Sequence, residues 1–340
     1  MKKILPVCVI ALLSACNDTE TKNEPVTGKY KTTGTIERIN AALDAIIDTS
    51  AKPEIIAEGF EWSEGPLWIE KDSMLLFSDV PANTIYKWTE AKGKEVYLSP
   101  SGYTDSIPSV CKEPGSNGLI LDAEGNLVLC QHGDRRMARM DAPLSKPVAR
   151  FITLADKYDG KRLSSPNDAV YNSGELFFTD PPYGLSTQDD KDPKKEIPFN
   201  GVYKLKKDGT VILLTDSISR PNGIAFFPGG KRLLVASSDP DKPNWYSFDV
   251  SGDSLINGKI FYSAAGHDKK LSGLPDGLTI DRNGNIFATG PGGLYIFNTE
   301  GKLLGNLKLD NATSNCALSP DEKTLYITND MYVLKFKMRD

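Results

Sequence analysis

Histidine is almost missing from this chain, with two residues in 340, His132 and His267. No G-x-S-x-G elbow accompanies them, so a serine-triad hydrolase has little to be built from. No C-x-x-C pair occurs, which argues against a thiolate zinc site. Neither a P-loop nor a dinucleotide fingerprint is present. Forty Lys and Arg against 45 Asp and Glu leave a net charge of −5, the wrong sign for a protein that chiefly binds nucleic acid. The apolar run from Ile4 to Ala15 is shorter than the roughly 20 residues that a bilayer span needs. Aliphatic and aromatic residues at 39% and charged residues at 25% describe an ordinary globular chain rather than a disordered one. Glycine and proline are plentiful, at 29 and 22, which favours many short strands joined by turns.

The N-terminus reads as an address. Lys2 and Lys3 precede the apolar run, which ends in Leu13-Ser14-Ala15-Cys16; a charged start, a short apolar stretch and small residues make a secretory signal. Residues 1–15 are therefore expected to be a signal peptide. Cys after Leu-Ser-Ala resembles a bacterial lipobox, which implies lipidation of Cys16, a polar tether over residues 16–34 and anchoring in the periplasm or outer membrane of the cell envelope. Membrane contact is expected only through that anchor. An ordinary signal peptide or a buried N-terminal strand is the alternative. Of five cysteines, Cys8 leaves with the signal and Cys16 takes the lipid. Cys111, Cys130 and Cys316 remain, an odd number that excludes a full disulfide framework and leaves a Cys111–Cys130 bridge open.

From Thr35 to Asp48, Ile36, Ile39, Leu43, Ile46 and Ile47 fall at helical spacing, which predicts one amphipathic helix within a lead-in over residues 35–52. The pattern then switches to period two. Aligning the hairpins uncovers six repeats: EGPLWI at Glu64, NGLILD at Asn117, NDAVYN at Asn167, NGIAFF at Asn222, DGLTID at Asp276 and NCALSP at Asn315. Successive starts lie 53, 50, 55, 54 and 39 residues apart. Each unit has an oxygen-bearing residue, usually a Gly, an apolar strand, a turn and a second strand such as LLFSD, LFFTD or LYITN. Such a unit cannot close a core alone, but a ring of them can. An all-β, six-bladed propeller over residues 53–340 follows, with a two-domain β protein as the competing architecture. Too little chain follows Asn315 for four strands, so the last blade is expected to borrow one from near Ile55-Ile56.

In a propeller, equivalent inner-strand positions face one axis. Glu64, Asn117, Asn167, Asn222, Asp276 and Asn315 would then converge, and six buried oxygens need something to satisfy them. Hard oxygen donors suit one divalent ion, Ca²⁺ first and Mg²⁺ or Mn²⁺ next, with Zn²⁺ also allowed. Locally bonded turn asparagines are the bland reading.

These motifs, with SEGPLW, RLSSPNDAV, LFFTDPPYGL, RPNGIAFFPGGKRLLVA and LPDGLTID, resemble the bacterial gluconolactonase branch of a family that includes regucalcin and luciferin-regenerating enzyme. The resemblance runs from about Thr35 to the C-terminus. It implies a metal held by Glu64, Asn167, Asn222 and Asp276, with Asp276 also catalytic. The regucalcin branch has an Arg where Ser165 stands, so its substrate preferences do not transfer. The implied activity is lactonase: metal-activated water attacks the carbonyl of a sugar lactone and Asp276 takes the proton, or a metal-bound hydroxide carries the attack instead. Asn117, His132, Asn167, Tyr183 and Asn315 are candidate substrate contacts; His132 is expected at the channel mouth, Tyr183 and Asp180 at the rim, and Arg135 and Arg136 could pair with a substrate carboxylate. A metal-dependent sugar-acid binding protein without turnover, or a broader ester or phosphotriester hydrolase, remains open. The protein is expected to be a monomer or dimer.

Overall fold

The computed structural model describes Met1, residues 29–107 and residues 109–339. The signal peptide, the lipidation at Cys16 and the tether before Lys29 lie outside the described residues. Among those described, no helix is long and apolar enough to cross a membrane.

Among the described residues, six antiparallel sheets of four or five strands follow one another along the chain, with one two-stranded ribbon, Lys157–Tyr158 with Lys161–Arg162, beside them. Their inner strands are Ser63–Ile69, Ser116–Leu121, Ala169–Asn172, Pro221–Phe226, Leu278–Ile280 and Asn315–Leu318. Each touches the next, and the sixth returns to the first, so the sheets close a ring. We number the blades 1 to 6 in that order. In blade 6 the outer strand is Glu54–Glu58, paired antiparallel with Tyr332–Lys337, with Ile55 opposite Leu334. The borrowed strand is thus where the sequence puts it, and it ties the two ends of the propeller together.

The nearly continuous apolar second strands have a simple cause. A strand between two neighbouring blades buries both faces, so alternate residues enter different cores. In blade 1, Leu76 packs toward blade 2 with Leu119 and Leu129, whereas Leu75 and Phe77 pack with Tyr326 and Val333 of blade 6. Phe178 and Phe177 of blade 3 divide in the same way between blades 2 and 4. Six such apolar layers fill the ring.

The helix expected over Thr35–Asp48 contracts to a single 3₁₀ turn, Ala41–Ala45, capped by Asn40 Oδ1 accepting from Ala42 N at 3.0 Å. Thr35–Arg38 is instead a fifth strand on the edge of blade 5, with Ile36 opposite Leu307. An open edge offers that segment a ladder of backbone bonds that a short isolated helix cannot match. Leu43 and Ile47 still bury, between blades 5 and 6, but Ile39 is exposed. Cys111, Cys130 and Cys316 are free thiols, so the Cys111–Cys130 bridge does not form.

Candidate active site

The Gly after the repeated polar residue is a packing requirement. A Cβ on Gly65 would lie 2.3 Å from Asn117 O, and one on Gly118 2.8 Å from Asn167 O. One on Gly223 would lie 2.3 Å from Asp276 O, and one on Gly277 2.0 Å from the Asn315 side chain. Each glycine therefore lets its inner strand approach the polar residue of the next blade, and the six positions are drawn together around the axis. Gly118 N also donates to Asn167 O at 2.9 Å, and Ser314 Oγ to Ser63 O at 2.6 Å across the closure. Gly223→Ala should cost about 1–3 kcal/mol through overpacking, read as a lowered Tm. An unchanged Tm would show that the inner ring is looser than these distances imply.

Glu64, Asn117, Asn167, Asn222 and Asp276 line one cavity of about 320 Å³, together with Trp62, Glu113, Tyr183, Ser238 and Thr313. The Oδ1 atoms of Asn117, Asn222 and Asp276 are buried there without a hydrogen-bond partner. Glu64, 1% exposed, accepts from Gly65 N at 3.0 Å. Asn222 Nδ2 donates to Ser238 Oγ at 2.8 Å, which turns its oxygen the other way, and Ser238 Oγ donates to Pro275 O at 2.7 Å. Unpaired buried acceptors of this kind call for a cation or a donor. No three of His, Cys, Asp and Glu form a metal-holding group among the described residues. The candidate set is instead two carboxylates with amide oxygens, which is hard-ion chemistry. The residues present fit a divalent cation.

Electrostatics agree. Burial, opposed in part by the Gly65 hydrogen bond, pushes Glu64 up to about 8, and Asp168 adds repulsion. Asp276 is raised well above the usual carboxylate range by burial first, then by Glu64, Asp168 and Glu113. Burial also raises Asp168 to about 7 and Glu113 to about 7. Between about 4.5, the ordinary Glu value, and about 8, folded Glu64 keeps a proton that the unfolded chain has released. The folded state then binds more protons, so this stabilisation is complete at the acid end and lost as pH rises. Protein stripped of cations should melt at a lower Tm at about pH 8 than at about pH 5; the reverse order would contradict the burial.

The other expected contacts separate. Tyr183 is on the cavity wall. Asn315 is not; its Nδ2 reaches Asp168 Oδ2 at 3.5 Å and its Oδ1 accepts from Cys316 N at 2.8 Å. His132 is fully buried and off the wall, with Nδ1 3.7 Å from Glu113 Oε2. Burial drives its pKa down to about 3, so it is a neutral ring behind Glu113 rather than a contact at the mouth. Asp180 is buried, accepting from Ser164 N at 2.8 Å and Ser165 N at 2.7 Å. Arg135 Nε donates to Leu163 O at 2.7 Å, and Arg136 bonds Gln131, Asp134 and Thr153. Ser165 Oγ donates to Pro181 O at 2.6 Å and accepts from Gly184 N at 2.8 Å, so it braces the turn carrying Tyr183.

Trp62, Glu113, Asp168 and Ser238 were not foreseen. Asp168 had a signal: it takes the place where four of the other repeats have Gly. Glu113 sits in an inter-blade loop outside the repeat and had none.

A closed six-bladed ring with an acid-and-amide cavity on its axis defines a propeller with a candidate hydrolytic or cation-binding centre. Residues 62–330 match the model of the SMP-30/Gluconolactonase/LRE-like region, and the chain belongs to that family. It is 39% identical over 316 residues to a gluconolactonase of Zymomonas mobilis, covering 91% of this chain and 87% of that one. A solved gluconolactonase of Xanthomonas campestris superposes with a TM-score of 0.78 at 29% identity, over 92% of this chain and 98% of the other. A solved calcium-binding regucalcin of Agrobacterium tumefaciens shares the fold, with a TM-score of 0.65 at 17% identity over 84% and 93%.

Proposed function

We propose that the protein is a lactonase that opens sugar lactones by hydrolysis, with a divalent cation held by Glu64, Asn167, Asn222 and Asp276. The observation that carries this reading is the set of unpaired buried oxygens, Asn117 Oδ1, Asn222 Oδ1 and Asp276 Oδ1, on one cavity wall with Glu64. The kinship with a gluconolactonase at 39% identity supports the substrate class. When bound, such a cation supplies Lewis-acid polarisation of the ester carbonyl and favours ionised water.

The chain's own residues do the remainder. Asp276, which a bound cation would keep ionised, takes the proton of the attacking water. Asn117 and Asn167 offer amide donors to the oxygen that gains charge as water adds. Trp62 and Tyr183 give the ring apolar walls. The Cys16 address would place the activity in the cell envelope. The test is acid release from glucono-δ-lactone by the purified, cation-loaded protein. Linear production above spontaneous opening is expected; no acceleration on any aldonolactone would contradict the reading.

A further inference from the structure

Glu113 stands on the cavity wall but at none of the six repeated positions. It belongs to the loop between blades 1 and 2, whose end is fixed where Gly115 N donates to Val80 O at 2.8 Å. Its Oε1 accepts from Gln188 Nε2 at 2.9 Å. Gln188 is itself held, its carbonyl accepting from Arg220 Nη1 at 3.3 Å. That guanidinium lies 5.8 Å from the ring centroid of Tyr183, another wall residue. The carboxylate is thus oriented from the loop that follows blade 3's second strand, which packs against its own loop where Cys111 Sγ donates to Gly184 O at 2.9 Å. His132 Nδ1, at 3.7 Å from Oε2, is beyond hydrogen-bond reach. Among the described residues no Lys or Arg lines the cavity; its charged groups are Glu64, Glu113 and Asp276.

We propose that Glu113 is a specificity-determining residue: oriented by Gln188, it accepts hydrogen bonds from hydroxyl groups of the lactone ring and selects polyhydroxylated lactones. This rests on the lactonase reading. A carboxylate is an acceptor with several free lone pairs, and its bonds to hydroxyls are charge-assisted. A ring without hydroxyls strips water from Glu113 and returns nothing, so it is rejected.

The experiment compares wild type with Glu113→Ala, both cation-loaded, on glucono-δ-lactone and on δ-valerolactone, which lacks ring hydroxyls. The variant should lose about 30-fold in kcat/KM on the hydroxylated ring, mostly through KM, and at least about tenfold less on the bare one. Equal losses on both substrates, or no loss on either, would overturn the proposal. If Glu113→Ala does not fold, Glu113→Gln carries the same comparison. Calorimetric binding of 1,5-anhydroglucitol, a hydroxylated ring without a carbonyl, provides a readout independent of turnover. Weakening of about 30-fold in the variant supports the assignment, and equal affinity overturns it. A wild type that binds this ring but opens no lactone would refute the hydrolase reading while leaving Glu113 tested.

Discussion

Asp276→Ala should lower kcat/KM for an aldonolactone by about 10³-fold, within the range expected for loss of a general base, while the β circular-dichroism spectrum is unchanged. Asp276→Asn is the sharper variant, because it keeps an oxygen toward the cavity and removes the group that accepts the proton; the same order of loss is expected. Stability separates a chemical role from a structural one. Asp276 Oδ1 is buried without a partner, and Glu64, Asp168 and Glu113 all oppose its charge. In cation-free protein that burial and repulsion favour the protonated carboxyl, so Asp276→Asn, which puts another neutral group in its place, should hold Tm. Activity within tenfold of wild type would remove Asp276 from its role.

Chelation is the second large effect. Stripping the cation should reduce lactone hydrolysis to near the spontaneous rate, with recovery on adding back Ca²⁺ or Mn²⁺. Binding to the folded state alone at about 100 times Kd contributes about 2.7 kcal/mol, which for a domain of this size is a Tm shift of roughly 4–5 °C. The gain should grow toward pH 8, as fewer protons compete with the cation for Glu64 and Asp276. Equal rates and equal Tm after verified metal removal would leave the unpaired oxygens without their proposed partner.

The ring and most of its axial wall are legible in the sequence because one physical constraint is repeated six times. Each blade must present an inner strand narrow enough to meet its neighbour, and glycines such as Gly65, Gly118, Gly223 and Gly277 record that contact. Each second strand buries both faces, and runs such as Leu75-Leu76-Phe77 record that burial. Residues without a repeated partner are harder to read. Glu113 reaches the cavity through a loop whose course depends on Gln188, 75 positions away. His132 follows a second strand, yet the Glu113 loop covers it. Gly184 leaves room for it: a Cβ there would lie 2.7 Å from His132 Cβ. The segment from Thr35 to Asp48 has helical spacing, but a free edge on blade 5 takes Thr35–Arg38 as a strand. Local periodicity holds no information about that edge.

Anomalous diffraction from crystals soaked in Mn²⁺ tests the central claim most directly. One peak is expected on the ring axis, at about 2.0–2.6 Å from oxygens of Glu64, Asn167, Asn222 and Asp276. A fully soaked crystal with no density among those four side chains, or with its ion bound elsewhere, would contradict it.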